Sequence, residues 1–252
     1  NPPAGRVSAI GIAATVVAEL DFELDDDLVT VLENGRAVGP GERFGRIFDI
    51  SGEGLGQYGP AIFASSPTGP NALSGDRDLL VDEGNLVILQ SRPEQTVPGI
   101  FDVPDDFELG GSLVIEPRIP TRFVALDLVD FDSGLSRVIL TDIAGATRTY
   151  EVPGGFTSDG EADPSNALRR LSLTARFTQA GLTADATFSE AAGFDPGRVA
   201  RLEVELDSSG ALGGVVVLSP PESAASLEWV TSLRAPSIPL ATYYGRIVEA
   251  AG

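Results

Sequence analysis

The sequence predicts an all-β protein, an antiparallel, jelly-roll-like β-sandwich with strand-like extensions at its N and C termini. Three observations predict it. Apolar residues recur at every second position over short runs, the period of a strand with one face in a core. Gly, Pro, Asp and Asn cluster between those runs, where turns belong. Helical periodicity is scarce. At 252 residues and 42% hydrophobic, the chain has enough apolar material for one large all-β domain.

Taken in order, the first strand candidate lies within 13–22 and the second within 44–50. "GLGQYG" (54–59) then matches G-x-G-x-x-G after a strand-like run, but nucleotide binding needs a helix to open there. The following "PAIFASSPTGPN" is no such helix, so the segment reads as a glycine-rich loop. "GNLVILQS" (84–91) is apolar throughout, as a strand buried on both faces would be. Runs at 112–116 and 121–132 follow, with Val124, Leu126 and Leu128 of the second sharing one face. Asp132-Ser133-Gly134 resembles an aspartic-protease triplet, but that chemistry needs a second copy and none exists, so a hairpin turn is expected. Strands at 137–143 and 147–152 come next.

"DPSNALRRL" (163–171) begins like a helix with Pro at its first position, yet runs into the alternating "RLSLTARF" (170–177). There Leu171, Leu173, Ala175 and Phe177 share one face. Candidates at 182–188, 201–207 and 213–218 complete the set. In 201–207, Leu202, Val204 and Leu206 oppose Glu203, Glu205 and Asp207. The sandwich is thus expected over 14–218, flanked by extensions 1–13 and 219–252. The second extension offers a short helix candidate at 219–233 and a strand-like run from Thr242 to Val248.

Composition narrows the function. A formal charge of −20 argues against nucleic acid, whose phosphates need a basic surface. No run approaches the roughly 18 apolar residues of a membrane span. All 17 basic residues are arginine. Methionine is absent, so Asn1 is not a translational start, and removal of a secretory leader is expected. The absence of histidine and cysteine excludes Ser-His-Asp and Cys-His catalysis, disulfides and ordinary zinc or copper sites. Oxygen ligands remain, and they suit calcium.

The candidate metal ligands are Asp76, Asp78, Asp105 and Asp106, with Asp82 beside them, in "SGDRDLLVDEGN" (74–85) and "FDVPDDFELGG" (101–111). These loops flank the apolar run 86–90, and neither has EF-hand spacing. The alternative for them is Asx-type turns and caps. Asp130, Glu116 and Glu203 are the candidates for a carboxylate pair of the glycosidase kind. Tyr58, Tyr150, Trp229, Tyr243 and Tyr244 are the rings available for stacking on a sugar.

The order of the pieces resembles a β-sandwich domain of bacterial secreted proteins, found in surface proteins of the PEP-CTERM, choice-of-anchor kind. The matching residues are Asp21-Phe22 (in inverted order), Asp76 to Leu79, Gly84-Asn85, Pro104 to Asp106, Gly110-Gly111, Asp130 with Asp132, and Ser209-Gly210-Ala211. They span residues 14–218. The resemblance implies an extracellular sandwich and does not imply an enzyme.

The functional expectation is a secreted, non-enzymatic structural subunit. It would join copies of itself into a cell-surface filament, sheet or matrix, a terminal segment adding as a strand to a neighbour's sheet edge. The alternative is a calcium-dependent carbohydrate-binding module for surface glycans, and a carboxylate hydrolase stands third.

Overall fold

The computed structural model describes residues 16–25, 29–39, 42–44, 48–54, 58–73, 76–157, 167–173 and 186–219. In chain order the strands are β1 (Val16–Leu20), β2 (Glu42–Phe44), β3 (Phe48–Glu53), β4 (Pro60–Ala64), β5 (Asn85–Leu89) and β6 (Gly111–Pro117). Then come β7 (Arg122–Val129), β8 (Leu135–Asp142), β9 (Thr147–Pro153), β10 (Leu168–Ser172), β11 (Thr187–Glu190), β12 (Val199–Leu206) and β13 (Ala211–Ser219). Arg77–Leu79 forms a 3-10 turn. No helix among the described residues is long and apolar enough to cross a membrane.

Two antiparallel sheets result. The first runs β10-β7-β13-β5-β4, with β1 also paired to β13. The second runs β11-β9-β8-β12-β6-β3-β2. The main core lies between them. Leu20, Ile62, Val87, Leu126 and Val215 from the first sheet meet Phe48, Ile50, Leu113, Val138 and Val204 from the second. Phe48 and Phe123 touch across the layers, with ring centroids 6.2 Å apart. Strand alternation drives this arrangement. In β12, Leu202, Val204 and Leu206 are buried while Glu203 and Glu205 face outward. Each fully buried aliphatic side chain contributes about 1.5–3 kcal/mol.

β5 is buried on both faces, as its unbroken apolar run predicts. Its outer face packs Leu86 and Ile88 against Phe63, Leu79, Leu80, Val81 and Phe101. The loops after β4 and after β5 therefore fold over the first sheet, and that carries their aspartates together.

Three segments differ in detail from the sequence reading. Residues 60–64 form β4, a strand missing from the expected set, because Ala61, Ile62 and Phe63 are buried on both faces and escape a period-2 reading. Leu168–Ser172 is strand, paired to β7, so the strand expected from 170 starts two residues earlier, at 168. Val124 does not share a face with Leu126 and Leu128. A bulge shifts the β7–β13 register between Val216 and Val217, so Phe123 enters the core and Val124 joins Ala125 and Val216 on the other face. The expected extensions 1–13 and 219–252, with the helix candidate 219–233 and the run 242–248, lie outside the described residues except for Ser219, which ends β13.

Candidate functional site

The two acidic loops meet beside the end of β5. Gln90, fully buried, organises one of them. Its Nε2 donates to the carbonyls of Arg92 and Val103, each at 3.0 Å, and its Oε1 accepts the Asp105 N–H at 3.1 Å. Asp105 Oδ2 accepts from Ser91 Oγ at 2.6 Å and Arg92 Nε at 2.5 Å. The next residue, Asp106, is buried and accepts the Gly210 N–H at 2.8 Å. Asp130, also buried, accepts from Ser209 Oγ at 2.8 Å. Asp76 and Asp78 come from the 3-10 turn that covers β5. The Ser-Gly of 209–210 thus has a specific task, which is to supply donors to two buried carboxylates.

Charge crowding follows. Burial pushes Asp76 up to about 7, helped by the Asp105 charge, a hydrogen bond to Asp105 and the charge of Asp78. At Asp105 burial works upward too, but hydrogen bonds from Ser91, Arg92 and Asp76 outweigh it and lower the pKa. Burial raises the Asp106 pKa well above its ordinary value; Asp76, Asp130 and Asp78 add to this, and the Gly210 N–H opposes it. As a carboxylate, Asp76 would keep Oδ2 buried with no donor. A proton shared with Asp105 removes that penalty, and so would a cation.

All four sequence-predicted ligands therefore belong to one electrostatic cluster, joined by Asp130. Asp82 instead sits exposed in the turn before β5, at φ 58°. The donors are the hard oxygens calcium takes. In this geometry, however, no three acidic side chains among the described residues are grouped to hold a metal ion.

A second constellation lies on the outer face of the first sheet, and sequence reasoning missed it. Arg170 on β10 donates through Nε to Asp127 Oδ1 on β7 at 2.6 Å and through Nη2 to Asp127 Oδ2. The same Nη2 reaches Glu19 Oε1 on β1 at 2.5 Å. The strand order places β7 and β13 between Arg170 and Glu19. Gly214 lets the side chain pass, since a Cβ there would lie 3.1 Å from Asp127 Oδ2. Burial opposes the guanidinium charge, yet Asp127 and Glu19 overcome it and raise the Arg170 pKa. The "GG" at 213–214 inside a strand was the available signal.

The remaining candidates separate. Glu116 and Glu203 face outward on the second sheet, both bound by Arg201 at 3.3 and 3.1 Å, whereas Asp130 follows β7 in the first. The segment 130–134 is no hairpin. β7 and β8 belong to different sheets, and Asp130 at φ 60° with Gly134 at φ 70° turns the chain from one to the other. The paired glycines entering β6 make a close-approach turn, where a Cβ on Gly110 (φ 71°) would collide with the Leu206 carbonyl. Tyr150 is buried with its hydroxyl donating to the Leu173 carbonyl at 2.8 Å, so it offers no sugar platform. Tyr58 is exposed; Trp229, Tyr243 and Tyr244 lie outside the described residues. Comparison with known protein families and with curated proteins finds no match for this chain.

Proposed function

We propose that the chain is a secreted bacterial structural protein, a sandwich subunit that assembles at the cell surface by terminal strand addition. The observation that carries this reading is β1. The first described strand joins the sandwich as an added strand along β13, in register from Val16 with Ser219 to Leu20 with Val215. A sheet edge that takes a strand from one end of the chain is the acceptor such an assembly needs. The resemblance to surface-protein sandwich domains and the acidic, cysteine-free composition support the same reading. The test is sedimentation of the full chain against chains lacking 1–20, which removes β1, or 236–252. Assembly that survives both deletions would refute strand addition by those segments.

The crowded carboxylates favour a second reading, a calcium-dependent carbohydrate-binding module. Calcium among Asp76, Asp78, Asp105 and Asp106 would displace the proton on Asp76, after side-chain movement that brings three oxygens onto the ion. Titration near pH 6 would then release about one proton per calcium bound, as metal binding to a protonated ligand requires. Binding without proton release, or none, would remove Asp76 from that role. A glycan array probed with calcium present tests the sugar, and silence there would refute the module.

A further inference from the structure

A strand held along one edge of a sheet can be supplied by either of two copies. β1 has β13 as its one strand partner among the described residues. The pairing of β5 with β13 covers Ala211 and Leu212, and β1 fills the same edge further along, from Val215 to Ser219. The slot is selective. Leu20 enters the core at 5% exposure, and Glu19 is read by Arg170, itself fixed by Asp127. A slip of two residues would keep the pleat and lose that ion pair, so Glu19 sets the register.

The connection out of β1 is strained. Phe22 is fully buried at φ 57°, a left-handed conformation that bulky side chains rarely adopt. Folding β1 back onto its own β13 uses that turn. Strained connections of this kind invite strand exchange, because exchange keeps every strand contact and lets the connection extend.

We infer that the β13 edge from Val215 to Ser219 accepts β1 from a second copy of this chain, with the incoming Glu19 bound by Arg170 and Asp127. The inference rests on the assembly reading and names its joint. Passed on from copy to copy the contact makes an open filament, and returned between two copies it makes a closed dimer.

The test exploits the absence of cysteine. Val17 and Leu218 are register partners. Chains carrying Val17→Cys and chains carrying Leu218→Cys are unfolded, mixed, refolded together and oxidised, and their disulfides are mapped by mass spectrometry. The expected result is a 17-to-218 link between copies, several-fold above the 17-to-17 and 218-to-218 links. Like-with-like links at the random ratio, while the unmodified chain still sediments as an assembly, would overturn the exchange and leave the assembly reading standing. An unmodified chain that stays monomeric at every concentration would overturn both. A second pair, Glu19→Arg and Arg170→Glu, removes dependence on one chemistry. Each alone is expected to sediment as a monomer. Their mixture is expected to sediment at about twice that mass or more, because each contributes the native half the other lacks. A mixture that behaves as the sum of its parts overturns the inference.

Discussion

Replacing Arg170 with alanine should destabilise the sandwich far more than a surface ion pair would. The guanidinium meets Asp127 through two oxygens and Glu19 through one. The three side chains retain only 23, 15 and 12% of their exposure, in the order Arg170, Asp127, Glu19. Solvent-exposed pairs contribute about 0.2–1 kcal/mol, whereas removing one partner of a fully buried pair costs about 3–5 kcal/mol. At this intermediate burial Arg170→Ala should cost about 2–3 kcal/mol, because two carboxylates are left without their shared cation. A double-mutant cycle with Glu19→Gln should return a coupling of about 1–2 kcal/mol, isolating the contact that spans β13. The assay is urea unfolding followed by far-UV circular dichroism, with an unchanged m-value as the check that the denatured state is the same. A loss under about 0.5 kcal/mol, or zero coupling, would refute the claim that this triad fixes β1.

Three further outcomes follow from the acidic cluster and the loops. Asp76 is raised from 3.8 to about 7, so the folded state holds its proton more tightly than the unfolded chain does. That contribution is fully present below pH 3.8 and is lost as pH rises towards 7. With chelator present, Asp76→Asn should flatten a downward slope that is bounded by about 1.4 kcal/mol per pH unit and reduced by solvent screening. Urea midpoints between pH 4 and pH 7 measure it, and an unchanged slope would count against the shared proton. Gln90→Ala should cost about 2–4 kcal/mol, since it strands the Arg92 and Val103 carbonyls and the Asp105 N–H; a change within error would mean water replaces the amide. Asp142 accepts backbone N–H groups from Ala144, Ala146 and Asp195, and these bonds lower its pKa. Its contribution is therefore present above pH 3.8 and lost as pH falls below it. Asp142→Ala should accelerate hydrogen exchange at those three amides, and unaltered exchange would contradict the bonds.

The fold class was legible because burial on one face leaves a period-2 signature, as in β12, and burial on both leaves an apolar run, as in β5. β4 was missed for the same reason, since five residues with no polar alternation read as loop beside a glycine-rich stretch. Val124 was misplaced because a bulge depends on the partner strand, which a single run of sequence does not reveal. The acidic cluster was half legible. Asp76, Asp78, Asp105 and Asp106 could be grouped because their two acidic loops flank one buried strand, but the folding of both loops over that strand, and the donors from Ser209 and Gly210 at the far end of the chain, are tertiary. The Arg170–Glu19 pair was illegible, with 151 positions separating two residues that only sheet order brings together. For Val124, for the donors from Ser209 and Gly210 and for Arg170 with Glu19, the deciding contact was non-local.

Electron microscopy of the purified 252-residue chain, in calcium and again after chelation, tests the central claim most directly. The account predicts ordered fibres or sheets, built by strand addition along β13. Uniform single particles under both conditions would contradict it.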